Sequence, residues 1–156
     1  MKITLLSVGQ RPPKWVNEGY EEYAKRMPKE LNFGLKEIKP EPRSLGKNKT
    51  ELLSCEAQRI EAALPKNAHI VVLDEHGLDL TTQALSNKLA TWLQEESEVV
   101  LIIGGPDGLD DRIKARAHLK LRLSSLTLPH ALVRPLIAEA LYRAWSLHNN
   151  HPYHRE

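Results

Sequence analysis

Short β-favouring runs alternate with helically spaced apolar stretches along this chain, and no other feature of the sequence constrains its fold as strongly. Residues 3–8 are β-favouring and end at Gly9, which predicts a strand. Pro12 and Pro13 open a helix on which Trp15, Val16, Tyr20, Tyr23 and Met27 recur at helical spacing, and Pro28 closes it. Residues 33–39 alternate as a half-buried strand, and residues 40–48, rich in proline and basic residues, form a loop. Thr50 is positioned to cap a helix to residue 64, with Leu53, Ala57, Ile60 and Leu64 on one face. A compact strand at 69–74 and a turn at Gly77 follow, then a helix opened by Thr81 or Thr82 through Leu85, Leu89 and Leu93. The most apolar strand, 99–103, runs into Gly104, Gly105, Pro106, Asp107 and Gly108. A short helix (110–118), a strand (119–124) and a last helix (132–149) complete the chain. This order predicts an α/β fold: a parallel sheet of five to six strands with helices on both faces, joined by right-handed crossovers. No repeat, linker or low-complexity tract divides residues 1–156, so one domain is expected.

The chain's 156 residues suffice for a real hydrophobic core. Its net charge of +2 excludes a strongly basic, tail-driven nucleic-acid binder, so any such contact must come from local patches. The one cysteine, Cys55, cannot form an internal disulfide and reads as an inert thiol on a helix. The apolar run at the N-terminus is too short for a signal peptide, and the longest, 99–103, is far too short for a membrane span. A cytoplasmic protein is expected, with no membrane association.

In an open parallel sheet, ligands bind outside the carboxyl ends of the strands. Three successive strands here end in unusual loops. The first holds Leu73, Asp74, Glu75, His76 and Gly77. The second is the glycine segment 104–108, whose spacing is neither the dinucleotide fingerprint nor a P-loop. It fits equally a tight turn and a ligand loop. The third runs from Ser124 and Ser125 through Leu126, Thr127 and Leu128 to Pro129 and His130. Irregular backbone there suits a flat polar ligand such as an adenine ring between Leu126 and Leu128, although a loop merely anchored by leucines has the same composition.

The last helix is apolar around nearly its whole circumference, which implies burial on two sides, the second against another subunit. Pro135 is compatible with that helix only in its first turn. The tail, from His148 to Glu156, carries three histidines, but Pro152 breaks their common face and no acidic or cysteine cluster accompanies them, so no metal is expected. The tail reads as a polar terminus or as a contributor to RNA contact or catalysis. Arg43, Lys47 and Lys49, and the cluster Lys114, Arg116, Lys120 and Arg122, are candidate phosphate contacts, with a solvated face as the plainer account.

Four motifs then match a family: residues 101–109 around the glycine segment, residues 126–130, the run Tyr142, Arg143, Ala144, Trp145, and the tail 150–156. Together, and in this order, they resemble the small SPOUT-class methyltransferases of bacterial large-subunit ribosomal RNA, over the whole chain. The resemblance implies a C-terminal trefoil knot, a homodimer, S-adenosylmethionine as cofactor, and methylation of N3 of a pseudouridine in ribosomal RNA of the large subunit or the assembled ribosome. It places cofactor contacts on Leu73, Gly104, Leu123, Ser124, Ser125, Leu126, Thr127 and Leu128. It points to Tyr153, His154 and Arg155 as catalytic residues reaching the site across the dimer, with His154 accepting the N3 proton and Arg155 stabilising charge on the base. Leu78 departs from the pattern, standing where many relatives carry lysine. Two alternatives to this activity are 2′-O-methylation of transfer RNA by the same class of enzyme, and a ribosome-binding protein that keeps the fold without the chemistry. An oxidoreductase is disfavoured by the missing fingerprint.

Overall fold

A computed structural model describes residues 1–43 and 46–154. Its elements are β1 (Lys2–Val8), α1 (Lys14–Ala24), a 3-10 turn (Lys29–Leu31), β2 (Gly34–Ile38), α2 (Lys49–Ala63), β3 (His69–Asp79), α3 (Thr82–Glu95), β4 (Glu98–Ile103), α4 (Asp111–Lys114), β5 (Leu119–Arg122) and α5 (His130–His148). The five strands form one parallel sheet in the order β2-β1-β4-β3-β5. The connection from β4 to β5 therefore steps over β3.

Alternation along each strand sends side chains to two cores. Ile3, Leu5, Val71, Val99, Leu101 and Ile103 meet Tyr20, Leu89, Trp92, Ile137 and Leu141 from α1, α3 and α5. Leu6, Val8, Ile70, Val72, Val100 and Ile102 meet Ala57, Ile60 and Ile113 from α2 and α4. β4 is covered on both faces, which is why its sequence is a continuous apolar run rather than an alternating one.

Helix starts follow capping chemistry. The Thr81 hydroxyl accepts from the Ala84 N–H at 3.1 Å, as expected. α2 begins earlier than Thr50: Asn48 Oδ1 accepts from the Glu51 N–H at 2.9 Å, and Thr50 lies inside the first turn. α4 is a single turn after Asp110, shorter than the 110–118 expected.

β3 does not end at Asp74. Leu73 and Leu78 both pair with Leu121, so residues 74–77 form a bulge and the strand then resumes to Asp79. Within it the His76 N–H donates to Asp74 Oδ1 at 3.0 Å. Gly77 makes the return possible: a Cβ there would stand 2.8 Å from the Lys120 carbonyl carbon and oxygen.

α5 lies between α1 and α3 on one face of the sheet. Those two helices account within one chain for much of the wide apolar surface assigned to a second subunit; among its large apolar residues, Leu136 is the exposed one, at 40%. Pro135 lies in the second turn rather than the first. It packs on Gly19 of α1, where a Cβ would meet the Pro135 Cβ at 3.2 Å. The buried Arg134 ties α5 to the far edge of the sheet, donating to Ser7 Oγ (3.1 Å), Glu37 Oε2 (2.7 Å) and the Gly9 carbonyl (3.1 Å).

Candidate active site

The carboxyl ends of β3 and β5 border an open cavity of about 320 Å³, a size at the lower end of the small-molecule range. The β3 bulge supplies one wall through Leu73, Asp74, Glu75 and His76. The other is the segment after β5, which brings Leu123, Ser124, Ser125, Leu126, Thr127 and Leu128 to the same cavity. Leu121, Arg122 and Val133, the last from α5, complete it. Leu126 is 77% exposed, an apolar side chain held open beside the cavity. Its N–H is satisfied by Ser124 Oγ at 2.9 Å, which fixes a turn in an otherwise irregular segment. Arg122 is engaged by Asp79 and draws that carboxyl below its ordinary range. The cavity therefore combines leucine walls with the polar residues of both segments and the exposed carboxylate of Glu75. It suits a ligand with a flat polar ring and a cationic arm.

Gly104 does not line this cavity. It follows Ile103 at the end of β4, next to β3, where Ile102 pairs with Val72. A Cβ on Gly104 would sit 2.7 Å from the Gly108 carbonyl oxygen, so only glycine fits. Residues 105–108 form a turn closed by the Gly108 N–H to the Gly105 carbonyl at 3.0 Å, with Gly108 at φ +83°. The glycine segment is thus a tight turn that follows β4, the strand paired with β3.

The described part of the tail, to His154, is folded rather than frayed. Asn150 turns the chain at φ +55°, and the His151 N–H donates to the Ser146 carbonyl at 2.8 Å. Tyr153 docks on α5 and α1. Its ring contacts Tyr142 and Tyr23 edge-on, its hydroxyl donates to Glu139 Oε2 at 3.0 Å, and the Arg143 guanidinium lies 4.9 Å from its centroid. Burial, with the Glu139 carboxylate next, pushes its phenol well above its ordinary range. His154 Nδ1 is buried without a hydrogen-bond partner among the described residues. Arg155 lies outside the described residues. Within one chain Tyr153 is docked away from the cavity: Val133 touches the cavity and Glu139 and Arg143 hold Tyr153, so about 9–15 Å of helix separates the two.

Most of the expected phosphate contacts are already paired. Arg43 binds Glu56 and Asp107, Lys47 binds Glu41, Arg116 reaches Glu61, and Lys114 stands 3.9 Å from Asp74. Among the described residues no group of His, Cys, Asp and Glu is arranged to hold a metal, and no helix is long and apolar enough to cross a membrane.

A family model described as a predicted SPOUT methyltransferase matches residues 1–154. The chain belongs to the SPOUT methyltransferases. Two similar proteins, from Paraburkholderia phymatum and Ralstonia nicotianae, are each 57% identical over 155 residues, covering 99% of both chains, and each is named ribosomal RNA large subunit methyltransferase H. A solved structure concerned with 2-OH methylation of C/U34 on tRNA is 17% identical, with a TM-score of 0.52 over 96% of this chain and 97% of that one. A putative methyltransferase from Legionella pneumophila, solved with bound SAM, is 12% identical, with a TM-score of 0.50 over 92% of this chain and 66% of that one. These two likenesses speak to the SPOUT fold alone. In this SPOUT chain the loops after β3 and β5 meet at one cavity, as their composition suggested. The contributions of Leu121, Arg122 and Val133 were not foreseen, because strand order and the seating of α5 have no local signal.

Proposed function

We propose that this chain transfers the methyl group of S-adenosylmethionine to N3 of a pseudouridine in large-subunit ribosomal RNA. The observation that carries the proposal is the 57% identity, over 99% of both chains, to proteins named large-subunit ribosomal RNA methyltransferases. The cavity fits the cofactor's chemistry. Leu73, Leu123, Leu126 and Leu128 supply apolar walls, backbone at Ser124, Ser125 and Thr127 can read an adenine edge, and the exposed Glu75 offers a carboxylate to an ammonium group. Gly104, where a Cβ would strike the Gly108 carbonyl, lets the turn after β4 close tightly. Bound there, S-adenosylmethionine supplies an electrophilic methyl group.

The chain's own part is alignment and charge. N3 must lose a proton as it attacks. His154 accepts it, a role supported by its unpartnered Nδ1. Arg155 stabilises the negative charge on the base, and Tyr153 anchors the tail through Glu139 and Arg143. The span of α5 between tail and cavity favours a homodimer in which one copy's tail serves the other's cavity. A ribosomal target places the protein in the cytoplasm.

The test is methylation with labelled cofactor on free ribosomal RNA, isolated subunits, assembled ribosomes and transfer RNA, read by mass spectrometry of the nucleosides. N3-methylpseudouridine in the large-subunit RNA is expected. Label only on a transfer RNA ribose would replace this function with 2′-O-methylation. Full single-turnover rates for both His154→Ala and Arg155→Ala would remove the catalytic assignment. Sedimentation as a monomer at micromolar concentration would remove the shared site.

A further inference from the structure

Arg43 belongs by sequence with the candidate phosphate contacts, yet its guanidinium points inward. Its Nη1 donates to Glu56 Oε2 at 2.5 Å and to the Glu41 carbonyl at 2.8 Å. Its Nε and Nη2 reach Asp107 Oδ2 at 3.3 and 3.2 Å. Glu56, on α2, is almost fully buried and also accepts from the Glu41 N–H at 2.9 Å. Asp107 lies in the glycine turn. One planar fork therefore joins the loop after β2, helix α2 and the turn after β4.

The fork also lies against the turn's backbone. A Cβ on the buried Gly105 would meet Arg43 Nη2 at 3.6 Å and Glu56 Oε1 at 3.7 Å. The buried carboxylate needs a cation, and the cation it holds is the one that grips Asp107. Glu41, two residues before Arg43, is itself clamped by Lys47 at 2.6 Å and Arg59 at 3.0 Å.

We propose that Arg43 is a positioning residue for methyl transfer: anchored on Glu56, it latches Asp107 and so holds the 104–108 turn in the conformation that sets Gly104 beside the cofactor. This rests on the cofactor site proposed above. The latch costs the protein a phosphate contact, because the guanidinium is engaged on both edges. A lysine, with one point charge, satisfies Glu56 but cannot fork to Asp107 as well.

The experiment is calorimetric binding of S-adenosylmethionine to the full chain, with melting of the ligand-free protein alongside. Asp107→Ala cuts the latch at its exposed end and leaves the Arg43–Glu56 pair intact, so the buried charge stays compensated. A roughly tenfold weaker affinity is expected, the size of one charge-assisted contact, with the ligand-free melting temperature nearly unchanged. Arg43→Lys is expected to lose about as much, and the double variant no more than either single change, because both break one contact. Affinities within twofold of the wild type for both single variants would overturn the latch, as would losses that simply multiply. A lower melting temperature with unchanged affinity would overturn it in favour of a purely structural ion pair. Absence of binding by the wild-type protein would instead remove the cofactor site, and the latch with it.

Discussion

Gly77→Ala tests how the cavity wall is built. Gly77 returns the β3 bulge to its pairing with β5, and an added Cβ would lie 2.8 Å from the Lys120 carbonyl carbon and oxygen and 2.9 Å from the Leu121 carbonyl carbon. All three are backbone atoms of the neighbouring strand and cannot rotate away. Ordinary contact begins at 3.4 Å, so the strands must part by about 0.6 Å. Forced overpacking of this kind typically costs about 1–3 kcal/mol. For a domain of this length each kcal/mol moves the midpoint by about 2–4 °C, so a fall of roughly 2–12 °C is expected by differential scanning calorimetry. Cofactor affinity should fall too, because residues 74–76 and Leu121 line the cavity. Gly34→Ala is the internal control: nothing lies within 4 Å of its added Cβ, and it should be neutral or more stable by about 0.4–1 kcal/mol. A Gly77→Ala protein melting within about 1 °C of wild type, or a Gly34→Ala protein falling as far, would refute the close-approach reasoning.

Leu126→Ser should leave stability within about 0.5 kcal/mol, because Leu126 is exposed in the free chain. Its affinity for S-adenosylmethionine should drop roughly tenfold by calorimetry if that leucine closes on the ligand. Arg134→Met strips partners from the buried Ser7 hydroxyl and the Gly9 carbonyl, and urea denaturation should show a loss of about 3–5 kcal/mol; under about 1 kcal/mol would mean the network is inert. Lys47, then Cys55 and Arg59, hold the Glu41 carboxyl at about 2, against an ordinary 4.5. Its contribution is therefore fully present above pH 4.5 and is lost as the pH falls from there towards 2. Melting temperature against pH should be flatter across that window in Glu41→Gln; parallel curves would contradict the assignment.

What could be read from the sequence follows physical lines. β4 was legible because a strand buried on both faces is a continuous apolar run, and β1 because its β-favouring residues end at Gly9. Residues 73–76 and 123–128 were legible as neighbours because parallel strands run to one edge, and they do share the cavity. The β3 bulge was missed because Asp74 to Gly77 has the composition of a turn, and only the approach of Lys120 shows why the strand resumes. Asn48 and Thr50 are both good caps, and nothing local chooses between them. Pro135 broke the first-turn expectation because its ring is seated on Gly19, more than a hundred residues away in sequence. Charge was visible at Arg43, but its partner Asp107 lies 64 residues on, so a latch looked like a surface cation.

The position of α5 sets an order of events for a growing chain. Arg134 must reach Ser7, the two 127 residues apart, and α5 fills the space between α1 and α3. During synthesis the first strand and its neighbours emerge long before the helix that covers them. Until α5 is free, the apolar face of β1 and β4 is covered only by α1 and α3, with the space between them open. The final helix is the closing piece, so a stop codon late in the gene removes the middle of the core rather than an appendage.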